Sequence, residues 1–465
     1  MRFTYLLLLC LFASLLSAQG SDEPDPIDPL YVDIFRAYKN KLDAHGYPVG
    51  RAGNAAYIPD QYVLKYAGPT AEADFRADLR KIKRAFGAGN VEVLGECGCS
   101  DQFRIYTISV KNLGGEERGK KGGDRLSNSI GREEVTPNYY LVPELEQVED
   151  HPSFNNLPPN FTVIPSGKPA APVDIAVLDT GLDPYFQHPQ VTNGRAPLYL
   201  WENPDPNDPD DPFCKDDDLF GWDFVNDDNA PLDDHSHGTH VASRIAHQLE
   251  TNAPDVNYRF MSVKMLDHDG VGNSFTAACA VYYAAANGAH VINASWGFYG
   301  ESDPVLREAF EYARSQGVAT MTSAGNFRRD LNETRHYPSG FALGNNPNQS
   351  IFFASASRTG SQLWPLTNFR AGGLNSSAHF VAAPGANLLG FIPRHFGAVN
   401  NVGRKSGTSV STPFASALAA HYHHLHPGAD PVTLRNTLLA EISAQGRGEG
   451  RRYRGATLPA YVVNR

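Results

Sequence analysis

From residue 171 onward the chain repeats one pattern: a short apolar run, a polar turn, then a longer stretch with apolar residues at helical spacing. The apolar runs are VDIAVLDTG, RFMSVKML, HVINASWG, VATMTSAGN and IFFASAS. Helical stretches lie between several of them, beginning at His237 and covering 274–287 and 303–316, and two more are predicted from Thr408 and from Pro431. Short runs that are apolar throughout are what strands covered on both faces require, and the intervening helices supply the cover. The pattern therefore predicts an α/β fold, a doubly wound and mostly parallel sheet with helices on both faces. In open sheets of this kind ligands gather at the carboxyl ends of the strands, so the polar residues there are the candidates for chemistry.

The first third reads differently. QYVLKYAG, VEVLG, FRIYTISV and EEVTPNYYLV are strand-like. Phe75, Leu79, Ile82 and Phe86 recur at helical spacing among Arg76, Arg80, Lys81, Lys83 and Arg84, and the Gly/Lys/Arg/Glu-rich segment 113–125 reads as a loop. Residues 57–142 thus form a small α+β unit with a basic helix. Residues 21–56 read as a linker with little packing. Ahead of them, Arg2, the apolar run Tyr5 to Leu16 and the small residues Ser17, Ala18 and Gly20 follow the order of a secretory signal peptide over 1–20. That run is shorter than the roughly 20 residues a membrane-spanning helix needs, and no later stretch is long and greasy enough to span. The expected location is therefore secreted and extracellular, with no membrane association once the signal is removed.

Composition narrows the class. The 465 residues are 41% hydrophobic and 20% charged, which excludes a chain disordered throughout, and 42 Gly and 33 Pro show no triplet period. A formal net charge of −11 argues against nucleic acid as a partner. Five cysteines are too few for a disulfide scaffold of this length. Loss of the signal removes Cys10 and leaves Cys97, Cys99, Cys214 and Cys279, whose pairing spacing does not reveal. Glycosylation sequons stand at Asn160, Asn293, Asn332, Asn348 and Asn375. Asn293 follows Val291 and Ile292 and is expected to be buried and unmodified.

Three motifs carry candidate chemistry. In VDIAVLDTGLD, Asp179 ends a buried strand, where a carboxylate orients a partner or caps a turn. In DDHSHGTHVAS, His237 opens a helix, and His240 lies within one turn of it, a spacing open to a metal pair as well. Zinc needs a further ligand, and HExxH is absent. In KSGTSVSTPFASALAAHY, Ser409 opens an Ala-rich helix, where it is an ordinary cap or a nucleophile beside unpaired N–H groups. Taken together the three fit one device: a serine hydroxyl needs a base, and the histidine needs a carboxylate to hold its tautomer.

With those motifs quoted, the sequence resembles the subtilisin-like serine proteases, or subtilases, over roughly residues 57–465. The chain order Asp, His, Ser is that family's and differs from the chymotrypsin and α/β-hydrolase orders. The resemblance implies Asp179, His237 and Ser409 as the catalytic triad. VATMTSAGN implies Asn326 as the side-chain donor to the oxyanion. NASWG implies an edge segment pairing with the peptide substrate, with Ser295 and Gly297 offering backbone groups and Trp296 lining the pocket for the residue before the cut. LDHDGVG implies the opposite wall, with Gly270 and Gly272. The unit at 57–142 resembles the family's ferredoxin-like inhibitory prodomain, its basic helix facing the acidic catalytic unit, with a maturation junction over 143–170 and the catalytic domain over 171–465.

The expected function is a secreted serine endopeptidase made as a zymogen. It acts as a monomer on protein or peptide substrates, with its own prodomain as intramolecular inhibitor. The alternative is a catalytically inactive subtilase-like binding protein, which would normally have lost a triad member. An aspartic protease would need a second D-[S/T]-G, which is absent. No cofactor is required and no metal ligand is assigned. Asp216, Asp217, Asp218, Asp223, Asp227 and Asp228 are candidate ligands for a structural Ca²⁺. The sequence departs from the family pattern at Ser243 (for the usual glycine), at Val410 after the nucleophile (for the common methionine) and at His336, where a small residue often ends the specificity pocket. The loop that often builds a calcium site after the His helix is missing.

Overall fold

The computed structural model describes residues 27–98, 103–111, 113, 119–132, 135–143, 172–184, 199–204, 218–342, 351–359, 362–369, 380–393, 402–437, 452–453 and 456–457. The signal peptide, the maturation junction beyond Pro143, Cys99, Cys214, Asp216, Asp217 and the sequons at Asn160, Asn348 and Asn375 lie outside the described residues.

The N-terminal unit is built on β2 (Ala55–Ala67), α2 (Ala71–Phe86), β3 (Val91–Cys97), β4 (Phe103–Val110), α3 (Gly119–Ile130) and β5 (Val135–Pro143). Its strands lie antiparallel in the order β5, β2, β4, β3, which with the β-α-β-β-α-β sequence is the ferredoxin-like arrangement. Period-two alternation sends β2 and β4 to two apolar faces. Tyr62, Leu64, Tyr66, Tyr106 and Ile108 pack under α2 and α3 with Phe75, Ile82, Leu126 and Ile130. Val63, Phe103 and Ile105 point the other way and join the core of the C-terminal unit.

Three expectations are corrected here. The segment read as a loop over 113–125 contains the first turns of α3; Gly122 is accommodated because a Cβ there would stand 2.0 Å from the Tyr62 hydroxyl. The segment read as an unpacked linker contains α1 (Val32–Ala44) and β1 (Gly50–Ala52). Tyr31, Ile34, Tyr38 and Leu42 form a buried stripe against Tyr140, Val142, Val271 and Tyr299. The basic helix α2 does not face the C-terminal unit, since its buried stripe lies on the far side of the sheet and its cations pair locally, Lys81 with Asp78 and Arg76 with Glu72.

The C-terminal unit centres on parallel strands β6 (Val173–Asp179), β7 (Gly221–Asp223), β8 (Tyr258–Lys264), β10 (Val291–Ala294), β12 (Ala319–Ser323), β14 (Ile351–Thr359) and β16 (Phe380–Pro384). The order runs β7, β8, β6, β10, β12, β14, with β16 also on β14 and β15 (Gln362–Leu363) antiparallel to it. Along β6, Val173, Ile175 and Val177 face α4 (His237–Asn252) and α7 (Thr408–Leu425), while Ala176 and Leu178 face α5 (Ser274–Ala286) and α6 (Pro304–Ser315). This is the doubly wound sheet the apolar runs predicted, with helices on both faces. Residues 431–437 are helical as well.

Candidate active site

Asp179 is the last residue of central strand β6, and His237 is the first of α4. The chain reaches the helix through Ser236, whose φ of 80° is left-handed. Asp233 holds that entry. Its carboxylate accepts the N–H groups of His235, Ser236 and Thr239 at 3.0, 2.8 and 2.9 Å and the Thr180 hydroxyl at 2.8 Å. Thr180 Oγ1 in turn accepts the Gly238 N–H at 2.9 Å, joining the turn after Asp179 to the start of the helix. Gly238 is required by proximity, since a Cβ there would stand 2.1 Å from the Gly181 carbonyl oxygen. The result is a fully buried contact in which His237 Nδ1 lies 2.8 and 2.9 Å from the two Asp179 carboxylate oxygens. His240 turns away and hydrogen-bonds the Leu388 carbonyl at 3.2 Å, so the two histidines of HGTH have separate partners.

Ser409 is the second residue of α7 and is fully buried. Three groups fix this helix start. Gly325 N–H donates to Thr408 Oγ1 at 2.9 Å. Thr408 N–H donates to Asn326 Oδ1 at 3.0 Å. Ser295 Oγ donates to the Ser409 carbonyl at 2.9 Å. Behind Ser295 a relay continues: Asn293 Nδ2 donates to Ser295 Oγ and Ser416 Oγ donates to Asn293 Oδ1, both at 2.9 Å. A Cβ on Gly407 would stand 2.9 Å from Asn326 Nδ2 and 3.2 Å from Ser409 Oγ, so these two groups border one small space that glycine leaves open.

The expected substrate walls are β9 (Gly272–Asn273), following Gly270, and β11 (Trp296–Tyr299). Strand β5 of the N-terminal unit lies between them, pairing Leu141 with Gly272, Val142 with Gly297 and Pro143 with Trp296. Space for that strand is made by glycine. A Cβ on Gly270, whose φ is 66°, would meet His235 Nε2 at 2.9 Å and Pro143 Cγ at 3.0 Å. The Trp296 indole packs in the core, 6.3 Å from the Phe310 ring, so its backbone rather than its ring meets Pro143. Helix α1 lies over this arrangement, with the Tyr38 hydroxyl donating to the Gly297 carbonyl at 3.3 Å. Tyr47 donates to Asp267 or Asp269, at 2.6 and 2.8 Å. Burial, then the Asp267 charge, raises the Tyr47 pKa, so the phenol keeps its proton.

Residues 171–455 match the sequence profile of the Subtilase family. The chain belongs to the subtilases. Among characterised relatives it is 31% identical over 252 residues to a thermophilic serine proteinase of Bacillus sp. (strain AK1), covering 53% of this chain and 51% of that one. It is 26% identical over 269 residues to subtilisin-like protease 1 of Plasmodium vivax, covering 54% of this chain and 41% of the relative. The chain thus spans about half the length of these relatives. The solved structure of fervidolysin from Fervidobacterium pennivorans, a keratinolytic enzyme related to subtilisin, matches with a TM-score of 0.53 at 19% identity, over 87% of this chain and 60% of that one. At that identity the likeness concerns the fold.

Two of the departures from the subtilase pattern, Ser243 and His336, have identifiable structural partners. Ser243 ties α4 to β17 (Leu388–Phe391), donating to the His240 carbonyl at 2.6 Å and accepting the Phe391 N–H at 2.9 Å. His336 is fully buried behind Gly297, where a Cβ would stand 2.2 Å from its Nε2, and its Nδ1 pairs with Ser339 Oγ at 2.8 Å. Of the candidate Ca²⁺ ligands among the described residues, Asp218 and Asp223 turn inward, while Asp227 is exposed and Asp228 half-buried. Asp218 hydrogen-bonds Asn203 and Tyr283, and Asp223 accepts from the Val225 and Asn226 backbones and the Asn226 amide. These donors would have to be displaced by a cation. Asn293, a sequon residue, is buried in the relay as expected, and Asn332 is exposed.

Asp233, Asn293, Thr180 and Ser416 are the positioning residues that motif reading missed. The Asp233 signal was present as an acid four residues ahead of a helix-opening histidine. Nothing local marks Asn293 and Ser416 as partners, 123 residues apart.

Proposed function

We propose that this subtilase is a secreted serine endopeptidase made as a zymogen. Ser409 Oγ attacks the scissile carbonyl, and His237 takes its proton through Nε2 and delivers it to the leaving amine. Asp179, on Nδ1, holds the tautomer and stabilises the imidazolium. The Asn326 amide and the Ser409 N–H receive the developing oxyanion. The acyl-enzyme is then hydrolysed by water activated by the same histidine. The substrate chain lies as an added strand against Gly270 and Gly272 on one side and Ser295, Trp296 and Gly297 on the other.

The observation that carries this reading is the buried Asp179–His237 contact at 2.8 Å together with the Asn326 amide and Ser409 hydroxyl bordering one space at the start of a helix. The zymogen part is supported by β5, which fills the position of a substrate strand, and by α1 lying over it. Residues 57–142 are then an inhibitory prodomain, with the maturation cut over 143–170. Secretion is supported by the charged, apolar and small-residue order of residues 1–20. Among the described residues no helix is long and apolar enough to cross a membrane. The enzyme acts as a monomer on proteins or peptides, and no step runs through a metal.

The test is labelling with a fluorophosphonate and casein hydrolysis by the chain after release of the N-terminal unit. Labelling at Ser409 and activity lost by at least 10⁴-fold in Ser409→Ala, about what removal of a triad member costs, are expected. An unlabelled Ser409 in correctly folded, released protein would refute the reading and leave the inactive binding protein.

A further inference from the structure

Cys97 ends β3, the outer strand of the N-terminal sheet, and Cys279 lies in the middle of α5 of the catalytic unit. They form a disulfide across 182 residues of chain. Both are buried, Cys279 fully and Cys97 to all but 3%. Around the bond the two units are packed together: Phe103 lies 4.1 Å from the Tyr282 ring, Lys65 pairs with Glu308 at 2.5 Å, and Gly95 abuts Phe275. Every peptide bond of the maturation interval lies between Cys97 and Cys279. A cut there divides the chain and leaves the disulfide joining the pieces.

We propose that the processed protein is a two-chain, disulfide-linked species whose N-terminal unit stays in the cleft until a dithiol reductant opens Cys97–Cys279. This rests on the zymogen reading above. A non-covalent inhibitory fragment leaves when dilution takes its concentration below its dissociation constant. A tethered one sees an effective concentration on the order of millimolar whatever the dilution. The tether acts on the cleft through a continuous hydrogen-bonded ladder, β3 to β4 to β2 to β5. In an oxidising medium the bond persists. Release needs one dithiol. Its thiolate attacks Cys97 Sγ, the S–S bond breaks, and Cys279 leaves as a thiolate that takes a proton. The reductant's second thiol then resolves the mixed disulfide, leaving Cys97 as a thiol and the reductant as a disulfide. Attack falls on Cys97, which ends the outer strand and keeps 3% exposure, rather than on Cys279, which is fully buried within a helix.

The experiment uses the full chain purified without reductant and cut in the 143–170 interval, by itself or at an engineered protease site. A non-reducing gel is expected to show one band of full mass, and a reducing gel two. Casein hydrolysis at nanomolar protein is expected to rise at least 10-fold with dithiothreitol, and without it to stay flat per molecule over a 100-fold dilution. The double variant Cys97→Ser/Cys279→Ser, cut in the same way, should be active without reductant and gain specific activity on dilution. If that variant does not fold, the gel and dilution arms on the native chain still decide. Two bands without reductant, or a cut native chain fully active without it, overturns the tether while leaving the protease reading intact. One non-reducing band with no fluorophosphonate labelling in any form, reduced or not, overturns the protease reading and the latency with it.

Discussion

The Asn326 carboxamide is oriented from behind. Its Oδ1 accepts the Thr408 N–H at 3.0 Å, which turns Nδ2 toward the space it shares with Ser409 Oγ. One residue therefore fixes the start of the helix that carries Ser409 and places an amide donor beside that hydroxyl. In the mechanism we propose, replacing it with alanine removes an interaction that grows only as the carbonyl oxygen becomes an oxyanion. Asn326→Ala is expected to lower kcat by about 10²–10³ with KM nearly unchanged. The same change leaves the buried Thr408 N–H unsatisfied and should cost about 1–3 kcal/mol of stability. Steady-state kinetics on a peptide substrate with the released enzyme, beside a urea titration, separates the two effects. A change in KM alone would mean that the amide serves ground-state binding rather than the transition state.

At the scale of elements, Asp233 is the joint between β6 and α4. Four donors converge on its carboxylate, three of them N–H groups at the helix entry. Removing a single cap costs up to about 2 kcal/mol, so Asp233→Ala, which strands all four donors, should cost at least about 2 kcal/mol in urea unfolding. It should also lower kcat by releasing His237 from its register with Asp179. Asp233→Asn keeps acceptor capacity and should recover most of the stability; equal losses in both would mean that the charge rather than the cap matters. This joint also illustrates what was legible in the sequence. Asp179, His237, Asn326 and Ser409 stand inside dense local motifs at strand and helix ends, and the apolar runs of β6, β8, β10 and β12 announce a buried parallel sheet. Asp233 was hidden because nothing in DDHSHGTH marks Thr180, 53 residues away, as its partner until the fold brings the two together. Helix α3 was hidden by Gly119, Gly122 and Gly123, poor helix formers whose conformation is imposed by Leu126 and Ile130 packing on the sheet. Helix α1 was overlooked although Tyr31, Ile34, Tyr38 and Leu42 carry its spacing, because polar and Pro-rich neighbours masked it. The Cys97–Cys279 and Asn293–Ser416 contacts join distant segments, and no local pattern encodes such pairs.

For the whole molecule, acid should act through the far end of the sheet as well as through the cleft. His290 precedes β10 and His423 lies in the last turn of α7, with ring centroids 4.3 Å apart. Burial, then the neighbouring His290, pushes the His423 pKa down to about 4. Burial also lowers that of His290, against the pull of Asp174. In the unfolded chain both return to about 6.5. Between those values the unfolded state binds the extra proton, so this pair's contribution is complete above pH 6.5 and is lost as pH falls toward 4. Asp234 and Asp303 work in the opposite direction over part of the same range, since burial raises both to about 6 and the folded state takes up their protons first. The net Tm profile of the native protein therefore mixes opposing slopes, and only a difference isolates one of them. His423→Gln removes the imidazole and leaves both carboxylates in place. Native minus variant Tm, followed from pH 7 to pH 4.5, should fall steadily with acid, the native protein losing more than the variant. A difference that stays level across that range would mean that His423 takes up its proton at the same pH in the folded protein as in the unfolded chain, and that the contact between α7 and the sheet tolerates the charge.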